Sequence, residues 1–84
     1  MFGKRIVDFG NHFKGRLEQD LLNGALDYVK FNEETLSLDI LCDHLSEYDI
    51  IISQKEYDEV SSLIKDMGLD ESESPYKYLK ALIK

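Results

Sequence analysis

The stretch from Glu33 to Ile52, EETLSLDILCDHLSEYDIII, holds the longest apolar run of the chain together with some of its densest negative charge. Its apolar residues recur at intervals of three and four, the period of an α-helix, and they divide between two sides of it. At about 100° per residue, Leu38, Leu41, Cys42, Leu45 and Tyr48 share one face, which predicts a helix to about Tyr48 with that face in the core. Leu36 and Ile40 fall nearly opposite, beside Asp43 and Glu47 and flanked by Asp39. Such a helix either packs on two sides or shows solvent a small apolar strip rimmed by carboxylates. Asn32 followed by Glu33 and Glu34 marks its start, because an Asn side chain accepts a bond from a free backbone N–H and acids favour the positive end of a helix dipole. After Asp49, the β-branched Ile50, Ile51 and Ile52 predict an extended link too short to found a sheet.

The segments on either side are also helical in pattern. Ile6, Phe9, Phe13 and Leu17 predict an amphipathic helix over about residues 4–15, bent or frayed by Gly10 and Gly15. Leu21, Leu22, Ala25, Leu26, Tyr28 and Val29 predict a second from about Glu18 to Phe31, with Phe31 closing its last turn. Ser53-Gln54-Lys55-Glu56 is a capping box, in which each end residue's side chain satisfies the other's backbone N–H. It opens a helix from Gln54 to Met67, with Tyr57, Val60, Leu63, Ile64 and Met67 turned inward and Gly68 as a left-handed stop. Leu69 to Ser74 reads as a solvated loop. Ser74-Pro75 predicts a last short helix from Pro75 to about Ile83, burying Leu79, Leu82 and Ile83. The expected fold is all-α, a single-domain bundle of four to five short helices.

With 84 residues the chain is long enough for one domain, with a core near the lower limit of independent stability. Dimerisation is compatible with that size. No apolar run approaches the roughly 20 residues of a bilayer span, and MFGKRIVDFG lacks the apolar stretch of a signal peptide. A lone cysteine, Cys42, excludes an internal disulfide and agrees with a reducing compartment. The expected location is therefore the cytoplasm.

Catalytic and metal chemistry find little support. Cys42 and His44 diverge by about 200° on a helix and cannot activate one another. One cysteine and two histidines, with His12 on another helix, fall short of a zinc set. Asp70, Glu71 and Glu73 lack the glycine and alternation of a calcium loop, and no phosphate-binding motif is present. The chain reads as non-enzymatic, with no cofactor.

Charge is more informative. The net charge is -7. Between Glu18 and Glu59 lie twelve acids and two lysines, whereas the remaining residues hold five acids and eight bases. A nucleic-acid binder shows the opposite stripe, so direct DNA or RNA binding is disfavoured and a basic protein surface is the expected partner. Asp39, Asp43 and Glu47 at i, i+4 and i+8 stack three carboxylates along one helix stripe, an arrangement that costs a few tenths of a kcal/mol per pair, roughly, when unpaired. Beside Leu36 and Ile40, it forms a rim suited to Lys and Arg on another molecule. A solvated face, or pairing with bases elsewhere in the fold, accounts for the same pattern. Glu33, Glu34, Leu36, Asp39, Ile40, Asp43, Glu47 and Asp49 are the expected contact residues.

The run Ala25-Leu26-Asp27-Tyr28-Val29, then Asn32-Glu33-Glu34, Leu38 to Leu45, Glu47-Tyr48-Asp49-Ile50, Ile52-Ser53 and Tyr57 resembles the MafI family of bacterial immunity proteins. The likeness covers about residues 20–68 and rests on helix and core signatures. It implies binding and neutralisation of a cognate polymorphic toxin domain used in contact-dependent growth inhibition, often a nuclease, with RNases of the EndoU type among the toxins suggested. A monomer in a one-to-one complex is the expected form, with a homodimer as the alternative. The alternative is an acidic adaptor or regulatory module that binds another basic or helical protein.

Overall fold

In the computed structural model, which describes residues 1–84, the chain folds into four α-helices and one 3-10 helix, with only isolated β-bridges besides. α1 spans Gly3–Asn11, α2 Gln19–Lys30, α3 Glu34–Glu47 and α4 Gln54–Asp66, and the 3-10 helix covers Tyr76–Leu82. α1 and α3 are the two supports. α2 lies against both, α4 packs on α1, and the 3-10 helix packs on α3. No helix is long and apolar enough to cross a membrane.

The core gathers the faces that the spacing picks out. Ile6 and Phe9 of α1, Leu22 and Ala25 of α2, Leu38, Leu41, Cys42 and Leu45 of α3, and Val60, Leu63 and Ile64 of α4 are buried together. Each such aliphatic or aromatic side chain contributes about 1.5–3 kcal/mol on leaving water. α2 and α3 approach closely through the small residues Ala25 and Ser37, both fully buried. The Ser37 hydroxyl donates to the Ala25 carbonyl at 2.7 Å, so its burial leaves no unpaired donor.

α4 matches its expected limits. Ser53 Oγ accepts from Glu56 N–H at 3.0 Å, and the Glu56 carboxylate accepts from Ser53 N–H at 2.8 Å. Gly68 follows at φ 74°. There the Leu69 N–H bonds to Ile64 O and the Gly68 N–H to Lys65 O, which is a Schellman closure.

The same closure ends α2 and α3, and it corrects the expected role of Asn32. Asn32 does not cap α3. It sits at φ 59° as the left-handed residue that finishes α2, with Asn32 N–H on Val29 O and Glu33 N–H on Tyr28 O. Asn tolerates this conformation because its short polar side chain adds little crowding. α3 then starts behind Glu33 with no side-chain cap.

Tyr48 is a second correction: it is 52% exposed and not part of the core. The helical projection fails because α3 ends one residue earlier and the chain reverses at Asp49, φ 50°. Ile50 N–H returns to Leu45 O, and Ile52, fully buried, occupies the core beyond the helix end. The isoleucine link is extended as expected. It pairs only once, through Ile52 N–H to Leu82 O (3.1 Å) and Lys84 N–H to Ile52 O (3.3 Å).

Further expectations change. α1 stops at Asn11 because its last turn tightens into i to i−3 bonds, His12 N–H to Phe9 O and Phe13 N–H to Gly10 O, before Gly15 turns the chain at φ 84°. Phe13 and Leu17 reach the core from that turn. A Cβ at Gly10 would lie 2.8 Å from Leu26 Cδ2, so the residue also admits α2. The last helix is 3-10, and Ser74 does not cap it. Tyr76, Leu79 and Leu82 are its buried residues, at the period of three that this geometry eclipses, and Ile83 is only partly buried. The preceding loop is less solvated than expected, since Leu69 packs on the core and Glu71 accepts from Ser61.

Candidate protein-binding face

Carboxylates on two sides of the molecule are treated differently by the fold. Across α1 and α4, acids and bases pair. Arg5 meets Asp66 at 2.9 Å, and His12 Nε2 meets Glu59 at 3.1 Å. Arg16, in the turn after α1, is held more fully. Its guanidinium donates to both Glu56 oxygens, at 3.2 and 2.5 Å, to His12 O at 2.7 Å and to Ile51 O at 3.1 Å, and it lies 4.6 Å from the Phe13 ring centre. Hydrogen bonding from Arg16 is the main reason the Glu56 carboxyl titrates below its usual range.

The outward side of α3 has no such pairs. Asp43 and Glu47 are exposed along it, with Glu33 before its first turn and Asp49 just past its end. None of the four carboxylates has a cation within 4.0 Å or a hydrogen-bond donor. Pairing with bases elsewhere in the fold therefore does not account for this part of the stripe. Leu36, 41% exposed, lies on the same side. From Leu36 to Glu47 the stripe runs about 16 Å, at 1.5 Å per residue.

Two of the expected contact acids serve the fold instead. Glu34 accepts from the Met1 amino group at 2.9 Å and from Phe2 N–H at 3.0 Å, so it holds the N-terminal end of α1 against α3. The bond from the amine is the leading cause of its lowered pKa. Asp39 accepts from the phenol of Tyr76. Ile40 is partly buried and packs on the core, which leaves Leu36 as the exposed apolar member of the expected set.

Other apolar side chains that the helical projection did not place here are more exposed. Tyr48 stands next to Glu47 and Asp49, and Ile51, two residues on, is 56% exposed. Asp49, Ile51, Ala81, Leu82 and Lys84 line an open recess of about 290 Å³ between the end of α3 and the 3-10 helix. The sequence signal that could have found them is the left-handed tolerance of Asp49, where the chain reverses and brings Ile52, not Tyr48, into the core.

No family model, curated protein or solved structure matches the chain. What the site can do is thus argued from its own residues. Nowhere do three His, Cys, Asp or Glu side chains converge as metal ligands. Cys42 lies in the core, where burial, followed by the charge of Asp39, pushes its thiol far above the ordinary range and disfavours the nucleophilic thiolate. His44 has a buried Nδ1 without a hydrogen-bond partner, its ring 6.3 Å from that of Tyr48. Unpaired carboxylates beside exposed Leu, Tyr and Ile side chains form a surface with electrostatic and apolar affinity for a second macromolecule.

Proposed function

We propose that the chain is a non-enzymatic immunity protein that neutralises a basic toxin domain, one to one, by covering it with the outer face of α3. The observation that carries this reading is the set of carboxylates on Glu33, Asp43, Glu47 and Asp49, which have no internal partner and lie beside exposed Leu36, Tyr48 and Ile51. Such a surface repels nucleic acid and attracts a protein that grips it. A nuclease acting on RNA must present a positive cleft, and an acidic face docks there with steered association. The resemblance of residues 20–68 to the MafI family supports the toxin as the partner class and an RNase as its activity. The site of action is then the cytoplasm, where RNA is cut. A stable complex buries roughly 800 Å² on each side, about a sixth of the 5017 Å² this chain exposes.

The test is co-purification with the product of the adjacent reading frame, together with rescue of growth when both are expressed. Binding and rescue support immunity. Stable capture of a basic protein with no toxic activity would instead make the chain an acidic adaptor.

A further inference from the structure

The recess at the end of α3 separates two rows of opposite charge. On one side stand Asp43, Glu47 and Asp49, on the other Lys77, Lys80 and Lys84; all six are exposed, and none of these lysines lies within 4.0 Å of a carboxylate. The course of the 3-10 helix sets the rows side by side. It meets α3 first where Tyr76 bonds Asp39 and last where Leu82 and Lys84 wall the recess with Asp49. It therefore follows α3 for about 12 Å, from Asp39 to Glu47 at 1.5 Å per residue. With Tyr76, Leu79 and Leu82 turned inward, the period of three leaves Tyr78 and Ala81 on one outer ridge and Lys77 and Lys80 on the other. Ala81 borders the recess together with Ile51, so its ridge is the one beside α3. Across the surface the order is acids, then exposed Ile51, Tyr78 and Ala81, then lysines.

Such a face selects neither a cation nor an anion, and its natural complement is a second copy of itself. We infer that two copies of this chain pair across it, about a two-fold axis that runs parallel to α3 between the rows. Rotation about that axis exchanges acids for lysines and leaves height along α3 unchanged. Asp49 of each copy then meets Lys84 of the other, and Asp43 and Glu47 meet the ridge of Lys77 and Lys80. The spacings agree at about 6 Å, four residues of α-helix at 1.5 Å against three of 3-10 helix at 2.0 Å. Ile51, Tyr78 and Ala81 close the centre, with the charges as its rim. The backbone there is already fixed, since Ile51 O accepts from Arg16 and Ile52 is bonded to Leu82 and Lys84, so pairing costs little further ordering. The inference goes beyond the proposed function and needs no toxin. Because pairing covers Asp43, Glu47 and Asp49, it and the capture of a basic partner by α3 exclude one another.

The test is sedimentation equilibrium of the whole chain at about 0.15 M salt, over about 1 µM to 1 mM, the range of weak association. The mass should pass from one copy to two, and dilution should move the NMR signals of Ile51, Tyr78 and Ala81. Reversed charges act twice in a two-fold interface, so the double variants Asp43→Lys with Glu47→Lys, and Lys77→Glu with Lys80→Glu, are each monomers. An equal mixture of the two variants restores a dimer that holds one copy of each. A wild type that stays monomeric throughout, a dimer of either variant alone, a monomeric mixture, or mass that climbs past two copies would overturn the pairing. So would dilution shifts confined to other faces, a result that needs no variant to fold. Failed co-purification beside an intact dimer removes the immunity reading and keeps the pairing.

Discussion

The Tyr76 phenol donates its hydrogen bond to Asp39, joining the 3-10 helix to the flank of α3. Tyr76 is buried, and its phenol is pushed well above its ordinary pKa, first by desolvation and then by the bond to Asp39. The carboxylate thus belongs to the fold. Tyr76→Phe is expected to destabilise by about 1–2 kcal/mol, since Asp39 keeps its partial burial and loses its donor. Urea unfolding measures this. Partner affinity should stay within about twofold, because the outward carboxylates are untouched; a larger loss would return Asp39 to the contact surface.

One substitution made at two glycines should have opposite effects. Gly10 and Gly24 both lie inside helices, where Ala is favoured by about 1 kcal/mol. At Gly24 an added Cβ meets nothing within 4 Å, so Gly24→Ala raises the melting temperature. At Gly10 it meets three atoms of Leu26, at 2.8, 3.1 and 3.3 Å, so the whole end of that side chain must move out of the α1–α2 contact. Gly10→Ala lowers the melting temperature. Equal stabilisation at both sites would contradict that contact.

Stability should fall at both ends of the pH range. Glu56 and Glu34 have lowered folded pKa values, from the bonds of Arg16 and of the N-terminal amine. Their contribution is present above the usual carboxylate range and is lost as pH drops below about 4 and passes through the folded values. Tyr76 and Cys42 are raised, so theirs is present below their ordinary values and is lost as pH climbs above about 9. Urea midpoints from acid to alkaline pH trace both limbs. Glu56→Gln flattens the acid limb, and Tyr76→Phe removes part of the alkaline one.

Charge reversal on the outward stripe separates folding from binding. In Asp43→Lys and Glu47→Lys the repulsion along α3 turns to attraction, so stability rises by a few tenths of a kcal/mol, roughly. Affinity for the proposed toxin partner drops by roughly tenfold for each, mainly through slower association at low salt. Calorimetry and stopped-flow binding at two ionic strengths measure it. Unchanged affinity in both variants would remove α3 from the contact.

Arg16→Lys should be damaging despite keeping the charge. Arg16 reaches two carbonyls and both oxygens of Glu56, and an ammonium group cannot span that fork, so a loss of about 1–2 kcal/mol is expected in thermal or urea unfolding. A neutral result would mean that the paired side of the molecule contributes little.

Local signals made α4 legible, because Ser53, Glu56 and Gly68 act on backbone groups a few residues away. Spacing alone made Leu22 and Ala25 of α2 and Leu38, Leu41, Cys42 and Leu45 of α3 legible as core, while Tyr28, in the same α2 pattern, is exposed. What spacing could not carry is where a helix stops: the reversal after Tyr48 puts Ile52 in the core in its place, and Asn32 ends α2 where its residue type fits a helix start as well. The 3-10 helix was written in the interval of three between Tyr76, Leu79 and Leu82, but α and 3-10 periods differ little over so few residues. For the candidate face, angular position put Leu36, Asp43 and Glu47 on the outward side of α3, where they are exposed. It could not find that Glu34 and Asp39 are claimed by partners more than thirty residues away, the amino terminus and Tyr76.

The unpaired side of α3 also bears on how the chain can change over generations. No fold contact uses the carboxylates of Glu33, Asp43 or Glu47, and substitutions at such surface positions usually stay within about 0.5 kcal/mol of neutral. Recognition of the proposed partner can therefore drift there while the helices behind it stand still. Asp49 is the exception, since at φ 50° only Gly, Asn or another short polar residue follows it easily. A lineage tracking a changing antagonist would be free at three of these positions and confined at the fourth.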